Sequence, residues 1–294
     1  MKKTSSGLYK ERSAWGLVLF RFRKNKLAIV GVGILAAMML VILAATLYID
    51  YARVTTMSIL DKFQSPSPEH WFGTDEFGRD LFARVIYGGR ISLFGSFAII
   101  GIAFIIGCIM GGAAGYFGGK VDTILMRIID MMMAIPSALL AMAIITALGN
   151  GIWNLILALA ISEIARFARV VRASILTLRN QEYIEAAKCY GQSSAKIILK
   201  HILPNGIGPI IVSATLTLGQ TIISISSMGF LGLGVASPTP EWGTIISENK
   251  MNIRYYPHLG ILPGLFIALA VIAVNFIGDG LRDAFDPRQK SRLE

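Results

Sequence analysis

The residues able to do chemistry in this chain fall into three groups. A hydroxyl-rich stretch carries Ser213, Thr215, Thr217, Gln220, Thr221, Ser224, Ser226 and Ser227 inside an otherwise apolar run. Charges also sit in apolar surroundings: Asp130 has Arg127 one turn back on the same helical face, and Glu163 has Arg166 in the same arrangement. The third group is FGTDEFGRD at 72–80, where Gly73 and Gly78 permit tight turns and Asp75, Glu76, Arg79 and Asp80 can cross-pair. Two carboxylates beside an arginine more often build a structural network than an acid/base pair. The three histidines, His70, His201 and His258, fall in loops or at the ends of apolar runs, and two cysteines, Cys108 and Cys189, cannot make a zinc site. No phosphate loop of the GxxxxGK[ST] type occurs; Gly118-Gly119-Lys120 lacks both the first glycine and the following hydroxyl.

The elements that position these groups are membrane helices. Hydrophobic residues make up 54% of the 294, charged ones 16%, and the mean hydropathy is +0.62, against roughly 25% charged in a soluble chain. Five stretches contain no Lys, Arg, Asp or Glu: 27–49, 91–119, 131–162, 201–240 and 255–278. Each exceeds the roughly 20 residues that cross about 30 Å of hydrocarbon as a helix. Leu148-Gly149-Asn150-Gly151 is a turn signal that divides the third. Six spans follow, near 27–49, 91–115, 123–147, 152–172, 207–235 and 258–279, with kinks expected at Pro136 and Pro263. Gly107, Gly111 and Gly115 form two overlapping GxxxG steps in the second.

Cation placement orients the spans. With both termini inside, 21 of the 28 Lys and Arg lie on the cytoplasmic side. The net charge of +10 is thereby explained by topology, with no nucleic-acid role required. The chain divides into a basic, amphipathic segment (1–26), which suits equally a helix on the anionic membrane surface and a solvated tail that only orients the first span, then a first span (27–49), a long outer loop (50–90), a five-helix core (91–282) that includes a cytoplasmic loop at 176–205, and a tail (283–294).

That cytoplasmic loop reads QEYIEAAKCYGQSSAKIILK from 181 to 200 and then HILPN, too polar to cross a bilayer yet rich in helix formers. Gly191 interrupts one helix, Ser193 or Ser194 can cap a second, and Pro204 starts the next span. Ala186 and Ala187 leave little bulk on one face, where another protein could approach, while Glu182, Glu185 and Lys188 can pair around it. An exposed loop helix without a partner is an equal reading on these grounds alone.

Several motifs in order resemble one family. EAAKCYG at 185–191, nine residues and then HILP at 201–204 look like the EAA loop of permease subunits of bacterial ATP-binding-cassette importers. FGTDEFGRDLFARVIYGGRISL at 72–93 looks like the outer-loop signature of the dipeptide, oligopeptide and nickel subgroup, in its C-type permease. AGYFGGKVDTILMRIIDMMMAIPS (114–137), GFLGLG (229–234), PTPEWG (238–243) and NFIGDGLRDAFDPR (275–288) match further, so the resemblance spans about residues 15–290. His201 departs from the general EAA pattern but suits the peptide-type HILPN, whereas Glu163 and Arg166 stand where small, aromatic or proline residues are expected.

The resemblance implies an all-α, six-span, type I importer permease of the bacterial cytoplasmic membrane that is not itself an enzyme. Its implied partners are a homologous B-type permease, two ATPase subunits that hold ATP and magnesium, an extracytoplasmic substrate-binding protein and membrane lipid. Glu182, Glu185, Ala186, Ala187 and Gly191 are then the coupling residues, moved by ATPase closure as a largely rigid body. Ser213, Thr217, Gln220, Thr221 and Ser224 are candidates for the translocation path, the alternative being helix-to-helix hydrogen bonds of about 0.6 kcal/mol each. Asp75, Arg79 and Asp80 belong to an outer surface, with 239–250, that contacts the binding protein or the sister permease. An Asp near a span centre costs about 2.5 to 3.5 kcal/mol. Asp130 therefore reads as an inter-helix lock, while Glu163 is open between a lock, a proton relay and a site for a peptide's terminal amine. A proton-coupled carrier is the competing function, but no paired half-repeats are found and such a carrier needs no docking loop.

Overall fold

The computed structural model describes residues 14–286. Among the described residues the chain is helical, with one isolated bridge pairing Thr74 and Asp80. The helices are α1 (Ala14–Lys24), α2 (Lys26–Tyr48), α3 (Tyr51–Thr55), α4 (Leu81–Gly89), α5 (Gly95–Phe117), α6 (Gly119–Met133), α7 (Ser137–Leu148), α8 (Ile152–Leu178), α9 (Glu182–Cys189), α10 (Ser194–Ile197), α11 (Leu203–Phe230), α12 (Trp242–Asn249) and α13 (His258–Phe285).

Two π-helical turns merge elements that the sequence separates. Arg90–Phe94 joins α4 to α5, and Ile198–Ile202 joins α10 to α11, giving continuous runs over Leu81–Phe117 and Ser194–Phe230 of 37 residues each. The first run begins ten residues before the expected span because Asp80 caps it, its carboxylate accepting from the Ala83 N–H at 2.9 Å. Gly88 and Gly89 do not break it. A Cβ at Gly89 would lie 2.4 Å from Ile42 Cδ1, so the glycine serves close packing instead of a turn.

The expected span 123–147 is not one helix. α6 and α7 meet at 86° across Ala134–Pro136, where proline removes a backbone donor and pushes its predecessor out of the helical region. Pro263 produces no such break, since α13 runs unbroken through it. α11 ends at Phe230 instead of near 235; Leu233 N–H donates to Met228 O (2.9 Å) around Gly232, whose φ is +78°.

Four runs are long and apolar enough to cross a membrane, Lys26–Ala45, Leu81–Phe117, Ser194–Phe230 and His258–Phe285, and α6 with α7 makes a fifth if the bent pair counts as one. α8 stands outside that count, with Glu163, Arg166 and Arg169 through its middle.

α5 and α8 pack closest. Gly107, Gly111 and Gly115 turn to α8, where an added Cβ would meet Phe167 Cβ at 2.4 Å, Ala168 O at 2.3 Å and Ile175 Cβ at 2.9 Å. The GxxxG steps are thus an internal helix contact. Residues 1–13 of the expected amphipathic segment and 287–294 of the expected tail lie outside the described residues. α1 itself docks on the end of α13: Trp15 meets Phe285 edge to face at 6.0 Å and Asn25 Nδ2 donates to Asp283 Oδ2 at 3.2 Å. Trp15 and Leu19 nevertheless stay about half exposed.

Candidate translocation groove and coupling elbow

At the end of the bundle that carries the long loop, the charges of 72–90 form a buried network. Asp75 Oδ2 accepts from Arg79 Nε (2.7 Å), and Glu248 Oε2 of α12 accepts from both Arg79 Nη2 and Arg84 Nη2 at 2.7 Å. Arg84 Nε lies 3.4 Å from the same Asp75 oxygen, and the side chains of Asp75, Arg79 and Arg84 are wholly buried. Asp80 pairs with Arg53 (2.8 Å) and His70 (3.0 Å). Burial, reinforced by the Asp75 and Glu248 carboxylates, holds Glu76 above the ordinary carboxyl range. The expected cross-pairing is therefore present, and it reaches two residues, Arg84 and Glu248, not singled out in the sequence.

Beside it, fully buried Glu241 caps α12, accepting from the Gly243 and Thr244 N–H groups at 3.0 and 2.9 Å and from the Ser92 and Ser226 hydroxyls at 2.9 and 3.1 Å. Burial pushes its carboxyl up while these donors pull it down. Glu241 was legible only as part of PTPEWG, because Ser92 is 149 residues away.

Deeper in the bundle, Ser213, Thr217, Gln220, Ser224 and Ser227 recur at helical spacing and line one groove with Ser162, Glu163 and Arg166 of α8 and Ser137 and Ala138 of α7, enclosing about 570 Å³. Thr221 faces away; it is buried and its hydroxyl donates to Thr217 O at 2.9 Å. Thr215 likewise bonds its own helix. The Glu163 carboxylate lies 3.1 Å from Arg166 Nε, as the spacing suggested. Asp130 does not use Arg127. It bonds Arg169 of α8 at 2.5 Å, and Asp122 takes Arg172 through two bonds of 2.6 and 2.7 Å, so α6 is tied to α8 by two ion pairs. Arg127 is exposed.

The opposite end carries the elbow. Ile184 and Ala187 of α9 turn inward against Val171, Ile175, Ile197, Ile202 and Ile210, leaving Glu182, Glu185 and Ala186 outward. The shared small face expected of Ala186 and Ala187 is not formed, since consecutive helical residues point about 100° apart. Gly191 closes the helix at φ +70°, its N–H donating to Lys188 O (2.9 Å), while Gln192 N–H reaches Ala187 O (3.2 Å). An added Cβ there meets nothing within 4 Å, so the demand on Gly191 is conformational. His201 Nε2 and Gln192 Oε1, 2.9 Å apart, tie this turn to the foot of α11. Ser193 begins α10 without a side-chain cap.

The chain is a helical membrane bundle with a polar groove and an elbow packed on the foot of the long helix that lines it. The chain belongs to the binding-protein-dependent transport system inner membrane component family, whose pattern matches residues 93–291; residues 13–66 match the N-terminal TM domain of oligopeptide transport permease C. It is accordingly a multi-pass protein of the cytoplasmic membrane. Among its relatives, it is 45% identical to the dipeptide transport system permease protein DppC of Alkalihalophilus pseudofirmus, covering 96% of this chain and 93% of that one. It is 39% identical to the oligopeptide transport system permease protein OppC of Bacillus subtilis (95% and 91%) and 40% to the glutathione transport system permease protein GsiD of Escherichia coli (95% and 92%). The fold is shared with a chain of the inward-facing MetNI methionine ABC transporter at a TM-score of 0.57 and 21% identity, over 69% of this chain and 97% of that one.

Proposed function

We propose that this chain is one permease half of an ATP-driven importer of di- or oligopeptides, with both termini and the elbow in the cytoplasm. A homologous B-type permease supplies the other half of the path, two ATPase subunits holding ATP and magnesium grip the elbow, and an extracytoplasmic binding protein delivers the peptide, with the 70–90 and 239–250 segments contacting either that protein or the sister permease. The relatives named for dipeptide and oligopeptide transport support the substrate class.

The observation that carries the coupling reading is mechanical continuity. The exposed Glu182, Glu185 and Ala186 stand on Ile184 and Ala187, which are packed on the foot of the 37-residue run that bears the groove hydroxyls. A push on α9 is passed to α11 through close-packed side chains, which transmit strain instead of absorbing it. Asp75, Arg79 and Asp80 act by holding the outer surface in shape, since their own side chains are engaged inside the chain.

The test is ATP-dependent peptide uptake by the assembled transporter carrying Glu185→Lys or Gly191→Val. Each is expected to lower uptake by about tenfold or more, the loss of one buried or strained interface contact, with weaker co-purification of the ATPase. Unchanged uptake and co-purification in both variants would remove the elbow from the coupling path.

A further inference from the structure

Resting on the peptide-transport reading above, we infer that the Glu163–Arg166 pair is a substrate site within the groove: Glu163 receives the α-ammonium of a peptide and Arg166 its carboxylate end. Glu163 lies roughly 16 Å along α8 from Ile152 at about 1.5 Å per residue, well inside the bundle. Its side chain is nearly buried, and its Oε2, 3.1 Å from Arg166 Nε in an ion pair, accepts no hydrogen bond from a described group. A carboxylate offers about four acceptor positions, so this one retains capacity for an ammonium. Ser213, Thr217 and Gln220 line the same groove, and the Gln220 amide bonds no other described group.

The anionic pole has two contributors. The Arg166 side chain is half exposed and lines the groove. Ser137 and Ala138 open the first turn of α7 onto the same space, without a side-chain cap, and the free N–H groups of a helix start favour negative charge. Asp130 and Asp122 do not compete for Arg166, because Arg169 and Arg172 hold them. The groove thus presents a carboxylate with acceptor capacity left and a half-exposed guanidinium a few ångströms apart, with the hydroxyls of α11 lining the same space. That is the complement of a zwitterionic amino compound.

The experiment is equilibrium dialysis of a radiolabelled dipeptide and its N-acetyl derivative against the detergent-solubilised permease–ATPase assembly without its binding protein, alongside binding-protein-dependent uptake. Wild type should bind the free dipeptide about tenfold tighter than the acetylated one, one charge-assisted contact's worth. Glu163→Gln should weaken the free dipeptide by that factor and leave the acetylated one unchanged, and Glu163→Asp should retain most of the discrimination. Equal binding by wild type and Glu163→Gln, equal weakening of both peptides, or no dipeptide bound by a wild-type assembly that still performs uptake would overturn the site while the transport reading stands. A wild-type assembly that takes up no peptide overturns the transport reading and this site with it.

Discussion

Glu248 shows how much one side chain can hold. It accepts from two buried guanidinium groups at 2.7 Å, and Asp75 is the other carboxylate facing them. Glu248→Gln keeps the shape but leaves two buried cations against a single anion. Breaking a buried ionic cluster from one side costs about 3 to 5 kcal/mol, so the thermal midpoint of the detergent-solubilised protein should fall by several degrees; an unchanged midpoint would mean that water already screens the cluster. Asp75 and Arg79 could be read from FGTDEFGRD because they are four residues apart. Glu248 could not, since 164 residues separate it from Arg84. Asp130 carries the same lesson in reverse. The nearby Arg127 was the legible partner, and the fold chose Arg169, 39 residues on, because α6 crosses α8 there.

At the scale of elements, hydrophobic length was readable and continuity was not. α2 lies within one residue of its expected limits at both ends, because an unbroken apolar run has only one way to satisfy its backbone in lipid. The merging of α4 with α5 and of α10 with α11 depends on π turns and on glycines pressed against neighbours, which no local pattern announces. The α5–α8 seam supplies a sharp test. A Cβ at Gly111 would sit 2.3 Å from Ala168 O, whereas one at Gly101 meets nothing within 4 Å. Gly111→Leu should destabilise the bundle by about 1 to 3 kcal/mol or more through overpacking, seen as lost folded yield by size-exclusion chromatography, and Gly101→Leu should be neutral. Similar yields for the two would show that the helices separate without cost.

For the molecule as a whole, the proposed pairing with a sister permease has a consequence at the groove. Glu163, Arg166 and the α11 hydroxyls open to one side of the bundle, where lipid would meet charge if no partner covered it, at about 2.5 to 3.5 kcal/mol per exposed ion. Co-production with the sister permease should therefore raise the membrane level of this chain several-fold over production alone, measured by quantitative immunoblot. Equal levels would argue that the chain covers its own groove. The sequence by itself determined that the protein lives in the membrane and which family it joins, since hydrophobic length and short ordered motifs are local quantities. Only the tertiary structure decided that Thr221 leaves the groove while Glu163 and Arg166 enter it, that Ala187 is core while Ala186 is surface, and that the elbow packs on the foot of the helix that lines the groove. Those outcomes depend on helix rotation and on contacts between segments remote in the chain, and both are fixed by packing.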